Sequence, residues 1–205
     1  MTPIDFWFDF ASPYGFLMGE RIDALAAAHG RTVRWRPLLL FAVLRQLELP
    51  APMGHPAKRD YMLLDFERSA RHLGVTYCHP SRFPVVTPLP GRLFHVLAER
   101  DAKAAAAFAR AAMQLAFQHD RPLDDAAMVA TLASRFDSRT ADALLQAAQG
   151  DAARAALARD IDEAVRLGVF GSPFVQIDGE PFFGADRLPQ IEARLAGRLA
   201  PAPKE

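Results

Sequence analysis

One cysteine, Cys78, is the only thiol in this chain, so no internal disulfide can form. The chain also lacks an excess of either charge, with 24 basic residues against 24 acidic ones. No basic block is present to meet nucleic-acid phosphates. No apolar stretch approaches the length of a membrane span. The start, MTPIDFWFDF, places acids inside its apolar run and has none of the order of a secretory leader. Together these absences predict a cytoplasmic protein with no nucleic-acid or membrane partner. Cys78 beside a single histidine, His79, makes a poor zinc site, and no metal is expected. What is present is 205 residues, 51% of them hydrophobic and 23% charged. That suits one soluble domain, or one with a large insertion, able to bury a sizeable core without disulfides.

Residues 4–10, IDFWFDF, alternate, with Ile4, Phe6, Phe8 and Phe10 on one face and Asp5, Trp7 and Asp9 on the other. Period two with aromatics predicts a strand. Ser12 then serves as a helix cap and Pro13 as a first helical residue, for a helix running to about His29 and ended by Gly30. Residues 32–40 predict a second strand, broken by Pro37. A parallel crossover is the simplest closure of that unit. From 42 to 167 the pattern turns helical and alanine-rich, including 56–74 with Gly74 at its end. A proline-rich segment, 80–91, interrupts it. Residues 174–184, FVQIDGEPFFG, carry Asp178-Gly179 between two apolar runs, a hairpin signal. Asp186 is expected to cap a last helix over 187–199, and PAPKE to fray. The order β-α-β, helical block, β-β-α predicts an α/β, thioredoxin-like domain formed by 1–41 and 168–205, with an all-helical domain, 42–167, inserted in its middle.

Two stretches carry candidate chemistry. In FDFASPYGF, residues 8–16, a serine and a glycine stand at positions 12 and 15, where a Cys-Pro-x-Cys redox motif would place its thiols. A group at a helix start meets free N–H donors and the positive end of the dipole. Ser12 has no His or Lys close in sequence to act as its base. It reads either as a helix cap alone, or as a hydroxyl that stabilises a thiolate brought in from outside. The second stretch is GVFGSPFVQIDGEPFFGADRL, residues 168–188. A cis bond before Pro173 would bare backbone able to pair with an extended peptide, and Gly184-Ala185-Asp186 could hold the charged ends of a small zwitterion. The same residues also read as an ordinary loop, hairpin and cap.

With PAKRDYMLLDFERSARHLGV, 56–75, these stretches resemble the glutathione-dependent 2-hydroxychromene-2-carboxylate isomerases, grouped with kappa-class glutathione transferases and DsbA-like thioredoxin-fold proteins. The resemblance implies bound glutathione and, usually, a homodimer. It implies that Ser12 is the catalytic residue, hydrogen-bonded to the glutathione sulfur. It implies that Pro173 is cis, that Phe170, Gly171 and Ser172 lie along the tripeptide, and that backbone at Ser172 pairs with the cysteinyl part. Ala185 and Asp186 would meet the γ-glutamyl end. Lys58 would reach the glycyl carboxylate or the second substrate, its alternative being a plain surface lysine. The implied reaction, in aromatic hydrocarbon catabolism, is the cis-trans conversion of 2-hydroxychromene-2-carboxylate to trans-o-hydroxybenzylidenepyruvate. Thiolate addition makes a double bond single, rotation follows, and elimination returns the thiol.

The chain departs from the family pattern in two places. QLELPAPMGH, 46–55, lacks the asparagine of many relatives, and FPVVTPLPGR has Val86-Thr87 where many carry Asn-Ser. Both regions, with Phe83 and Arg92, are expected at the pocket for the aromatic electrophile. The rival readings are therefore a kappa-class-like glutathione transferase acting on other electrophiles, and a non-catalytic glutathione-binding module. Tyr14 reads equally as a pocket wall or as packing under the first helix.

Overall fold

The computed structural model describes residues 2–201; Met1 and residues 202–205, the end of the expected tail, lie outside the described residues. Strand β1, Ile4–Phe8, is followed by helices α1, Pro13–Gly19, and α2, Ile22–Ala28, and by β2, Val33–Pro37. β1 and β2 pair in parallel, from Ile4 opposite Val33 to Phe8 opposite Pro37, as a crossover requires. Three expectations change here. The first strand stops at Phe8 rather than Phe10, because Asp9 turns the chain toward the α1 cap. The single helix expected to His29 breaks between Gly19 and Ile22. A Cβ on Gly19 would lie 3.0 Å from the Trp35 ring, so the indole packs directly on that backbone, and the chain turns just beyond it. The second strand ends at Pro37, which an edge strand tolerates, and residues 40–46 form α3, Leu40–Gln46.

The helical block contains α4, Pro56–Leu73; α5, Pro88–Ala98; α6, Ala102–His119; α7, Ala126–Ala133; α8, Ala141–Gln149; and α9, Asp151–Arg166. Gly74 ends α4 at φ 63°, the left-handed conformation for which glycine is suited. Helix α5 starts inside the proline-rich segment, four residues before Arg92. Pro88 and Pro90 fall in its first turn, where no N–H is required of them. The chain closes with β3, Phe174–Ile177, and β4, Glu180–Phe183, joined by Asp178 and Gly179 at positive φ. A 3-10 turn, Ala185–Arg187, then leads into α10, Leu188–Leu195. The expected cap at Asp186 does not form. No side chain caps that turn, and the Asp186 carboxylate instead pairs with Arg187 at 2.5 Å.

The sheet order is β2-β1-β3-β4, with β3 antiparallel to both of its neighbours. β1 is central and covered on both faces. Phe6, Phe8 and Phe10 join the larger core with Trp35, Phe94 and Phe108. Trp7, fully buried, joins a second core with Leu157, Ile161 and Phe174. The larger core also takes in residues of α5 through α8, so the sheet and the helical block share one apolar interior. That continuity fixes the ends of β1 and β3 against the helices. Among the described residues no helix is long and apolar enough to cross a membrane.

Candidate functional site at the β1–α1 junction

Ser12 caps α1 in extended conformation and its Oγ accepts from the Gly15 N–H at 3.0 Å. The same Oγ donates to the carbonyl of Ser172 at 2.9 Å, a bond between residues 160 positions apart. Ser172 precedes a cis Pro173. Its own Oγ accepts from the Asp9 N–H at 2.9 Å, and its hydroxyl hydrogen has no acceptor among the described residues. Ser12 and Ser172 are both buried. The amide N–H groups of Phe170, Gly171 and Ser172 have no hydrogen-bond partner among the described residues. A buried N–H left unpaired is uncommon in a folded chain, and here it sits beside a carbonyl held only by a side chain. Helix α1 has seven residues, so its dipole is short, and the local donors dominate.

Asp9 organises this junction. Its carboxylate is 2% exposed. Oδ1 accepts from the Ala11 N–H at 2.9 Å and from Thr87 Oγ1 at 3.0 Å, and Oδ2 accepts from the Leu40 N–H at 2.6 Å. Burial pushes its pKa up, and the bonds from Ala11, Leu40 and Thr87 pull it part of the way back. One carboxylate thus ties together the β1–α1 loop, the start of α3 and the residue before α5. The sequence pattern alone places Asp9 on one face of a strand and Thr87 at a pocket. The available signal is an acid inside an aromatic run, three residues before Ser12.

Gly15 matters through what it lacks. A Cβ there would lie 3.0 Å from Ser172 Oγ and 3.3 Å from Ser12 Oγ, so its absence lets both hydroxyls approach the helix start. Gly171 is held free in the same way, because a Cβ would fall 2.2 Å from the Phe183 ring. Phe170 and Phe183, both exposed, meet with ring centroids 4.8 Å apart and form an aromatic pair over that glycine.

Ala185 is buried and the turn it opens packs against α1. Asp186 is exposed, and its charge is felt by Tyr14, which lies next to Pro13 in α1. Ser12, Gly171, Ser172, Pro173, Ala185 and Asp186 are therefore gathered around one helix start, with Phe170 at the margin. Lys58 stands apart, exposed in the first turn of α4, with no hydrogen bond or ion pair joining it to that group. It lies seven residues, about 10 Å of helix, before Asp65. The Tyr14 hydroxyl donates to Asp65 at 2.7 Å and the Tyr14 ring packs on Phe66. Burial and Asp65 push the phenol pKa up, so it stays a donor that fastens α1 to α4. Phe83 packs with His79 and Phe66. Arg92 is half-buried on α5, and no hydrogen bond or ion pair joins it to the site residues.

The family described as a DSBA-like thioredoxin domain matches residues 3–196. The chain is 26% identical to glutathione S-transferase kappa 2 of Caenorhabditis elegans, over 94% of this chain and 91% of that protein. It is 26% identical to 2-hydroxychromene-2-carboxylate isomerase of Pseudomonas putida, over 96% of this chain and 95% of that protein. A solved structure of a 2-hydroxychromene-2-carboxylate isomerase superposes with a TM-score of 0.82 at 24% identity, covering 96% of this chain and 95% of that one, which supports the fold.

Proposed function

The chain belongs to the DSBA-like thioredoxin domain family, and from that premise we propose that it is a glutathione-dependent enzyme that isomerises 2-hydroxychromene-2-carboxylate or a close relative of it. One observation carries the reading. A buried serine hydroxyl is tied to a backbone carbonyl whose neighbouring N–H has no partner among the described residues, at a site with no thiol of its own. That arrangement fits a small cysteinyl peptide. It offers an N–H for the peptide backbone and, once Ser12 turns its hydrogen toward sulfur, a carbonyl to complete that pair.

When bound, glutathione supplies a thiolate able to add to an electrophilic double bond and leave again. The chain's own residues do the rest. The Gly15 N–H fixes the Ser12 oxygen, and the Ser12 hydrogen, given to the Ser172 carbonyl in the free protein, turns to hold negative charge on sulfur. The Ser172 backbone pairs with the cysteinyl part. Phe170 and Gly171 lie along the tripeptide, and Pro173 holds the loop that presents them. Ala185 and Asp186 take the γ-glutamyl end. Lys58, on the free first turn of α4, reaches the glycyl carboxylate or the carboxylate of the second substrate. Phe170 and Phe183 offer apolar surface beside the site.

A transferase acting on other electrophiles is the second reading, and one observation favours it. Thr87 turns inward to Asp9, while Val86 is 54% exposed. The segment therefore presents an aliphatic surface where many relatives carry an amide and a hydroxyl. The test is titration with reduced glutathione while following the ultraviolet thiolate band near neutral pH, followed by product analysis with chromene carboxylates and ordinary transferase electrophiles. Saturable thiolate formation that is lost in Ser12→Ala is expected. Isomerised product with glutathione returned supports the isomerase, and a stable adduct supports the transferase. No thiolate and no turnover would overturn both.

A further inference from the structure

The Ser12 hydroxyl has one hydrogen, and in the free protein that hydrogen is already in use. It is donated to the Ser172 carbonyl at 2.9 Å, while the oxygen accepts from Gly15. To hold a thiolate, Ser12 has to turn the hydrogen away from that carbonyl. Done alone, this strands a buried acceptor, since Ser172 is 7% exposed and its carbonyl has no other donor among the described residues. Leaving such a group unsatisfied is costly enough to cancel much of the gain from a new bond to sulfur.

The Ser172 amide indicates what resolves the conflict. Its N–H is unpaired among the described residues. In an antiparallel pair, two opposed residues exchange both N–H···O bonds. A ligand residue opposite Ser172 would accept from that free N–H and donate its own N–H to the carbonyl that Ser12 now occupies. Directly opposed residues also place their side chains on the same face, about 5 Å apart at Cβ. The ligand's thiol would then lie on the side where Gly15 leaves room and where both serine hydroxyls converge.

We propose that Ser12 is a latent donor, released to the ligand sulfur only when the ligand's amide N–H takes over the Ser172 carbonyl, so that the site ionises N-acylated cysteinyl thiols and discriminates against thiols that lack this N–H. The inference rests on the glutathione reading above and deepens it. Discrimination comes from coupling rather than from an extra pocket. The same hydrogen serves the carbonyl or the sulfur, and the ligand amide decides which. The thiol proton departs to water, and no other covalent bond forms or breaks.

The experiment compares glutathione with its depsipeptide analogue, in which an ester oxygen replaces the cysteinyl N–H. The pKa of the bound thiol is read from the ultraviolet thiolate band of wild type and of Ser12→Ala, with folding of the variant checked by circular dichroism. In wild type, the glutathione thiol is expected to titrate about one pH unit below that of the bound analogue, a tenfold difference in ionisation. In Ser12→Ala the two ligands should titrate alike. The analogue should still bind wild type as the neutral thiol within about tenfold of glutathione, because the Ser12–Ser172 bond stays intact without the amide. Equal pKa values for the two ligands in wild type, with a clear thiolate band for glutathione, would overturn the coupling and leave the glutathione site standing. Failure of the analogue to bind would also overturn the coupling. Absence of any thiolate band with glutathione would overturn the glutathione reading and this inference together.

Discussion

Replacing Asp9 with asparagine probes the junction at the residue that joins most of it. The side chain is 2% exposed and accepts three hydrogen bonds, from Ala11 N–H, Leu40 N–H and Thr87 Oγ1. Asparagine keeps the shape but turns one oxygen into a donor. In the better orientation its carbonyl retains Ala11 and Thr87, and its amide group then faces the Leu40 N–H, donor against donor. Losing one bond to a charged acceptor costs about 1.5–3 kcal/mol, and removing a buried charge offsets part of that. A net loss of about 1–2 kcal/mol near neutral pH is expected, which for a chain of this length lowers Tm by roughly 2–8 °C. The loss depends on pH. Burial raises the Asp9 pKa in the folded state. A carboxyl with a raised folded pKa contributes most below its unfolded pKa, and that contribution is lost as pH rises through the folded value. Asparagine does not titrate, so the lead of wild type over Asp9→Asn should be larger near about pH 4 than near about pH 7. Urea unfolding of both proteins across that range measures the lead. A lead that stays flat with pH would refute the buried-carboxylate argument. Equal stability at every pH would refute the count of hydrogen bonds.

Gly15→Ala should lower stability by about 0–2 kcal/mol, because helix propensity favours alanine by about 1 kcal/mol while crowding against Ser12 and Ser172 costs about 1–3 kcal/mol. Its effect should also appear as a weaker thiolate band with glutathione, and an unchanged band would remove Gly15 from the site. Ser12→Cys should capture oxidised glutathione as a mixed disulfide, the new thiolate attacking one sulfur and releasing one reduced glutathione. Intact mass after incubation should therefore rise by one glutathionyl group, mapped to position 12 by peptide digestion. A peptide spanning that position that stays unmodified in the variant would refute the idea that serine avoids this trap.

Local signals were legible wherever the chain alone decides the geometry. The alternation of 4–8, the Ser12–Pro13 helix start, the glycine end of α4 at Gly74 and the Asp178–Gly179 turn all depend on neighbours within a few residues. The structure departs from local propensity where packing overrides it. The first helix breaks after Gly19, where the Trp35 ring packs against the backbone, and Trp35 lies across the crossover from it. The proline-rich segment turns helical because its prolines fall in a first turn. Asp186 pairs with Arg187 instead of capping, because the chain enters α10 through a 3-10 turn.

The β-α-β, helical block, β-β-α order, the kinship of the chain and the absence of a thiol at the β1–α1 junction are written in types and spacings of residues. Packing alone brings Ser12 and Ser172 together, lets Asp9 tie three segments, and leaves the Ser172 N–H without a partner among the described residues. A hydrogen bond between residues 160 positions apart has no local signature. It forms because a shared apolar core brings the end of β1 beside the loop before β3.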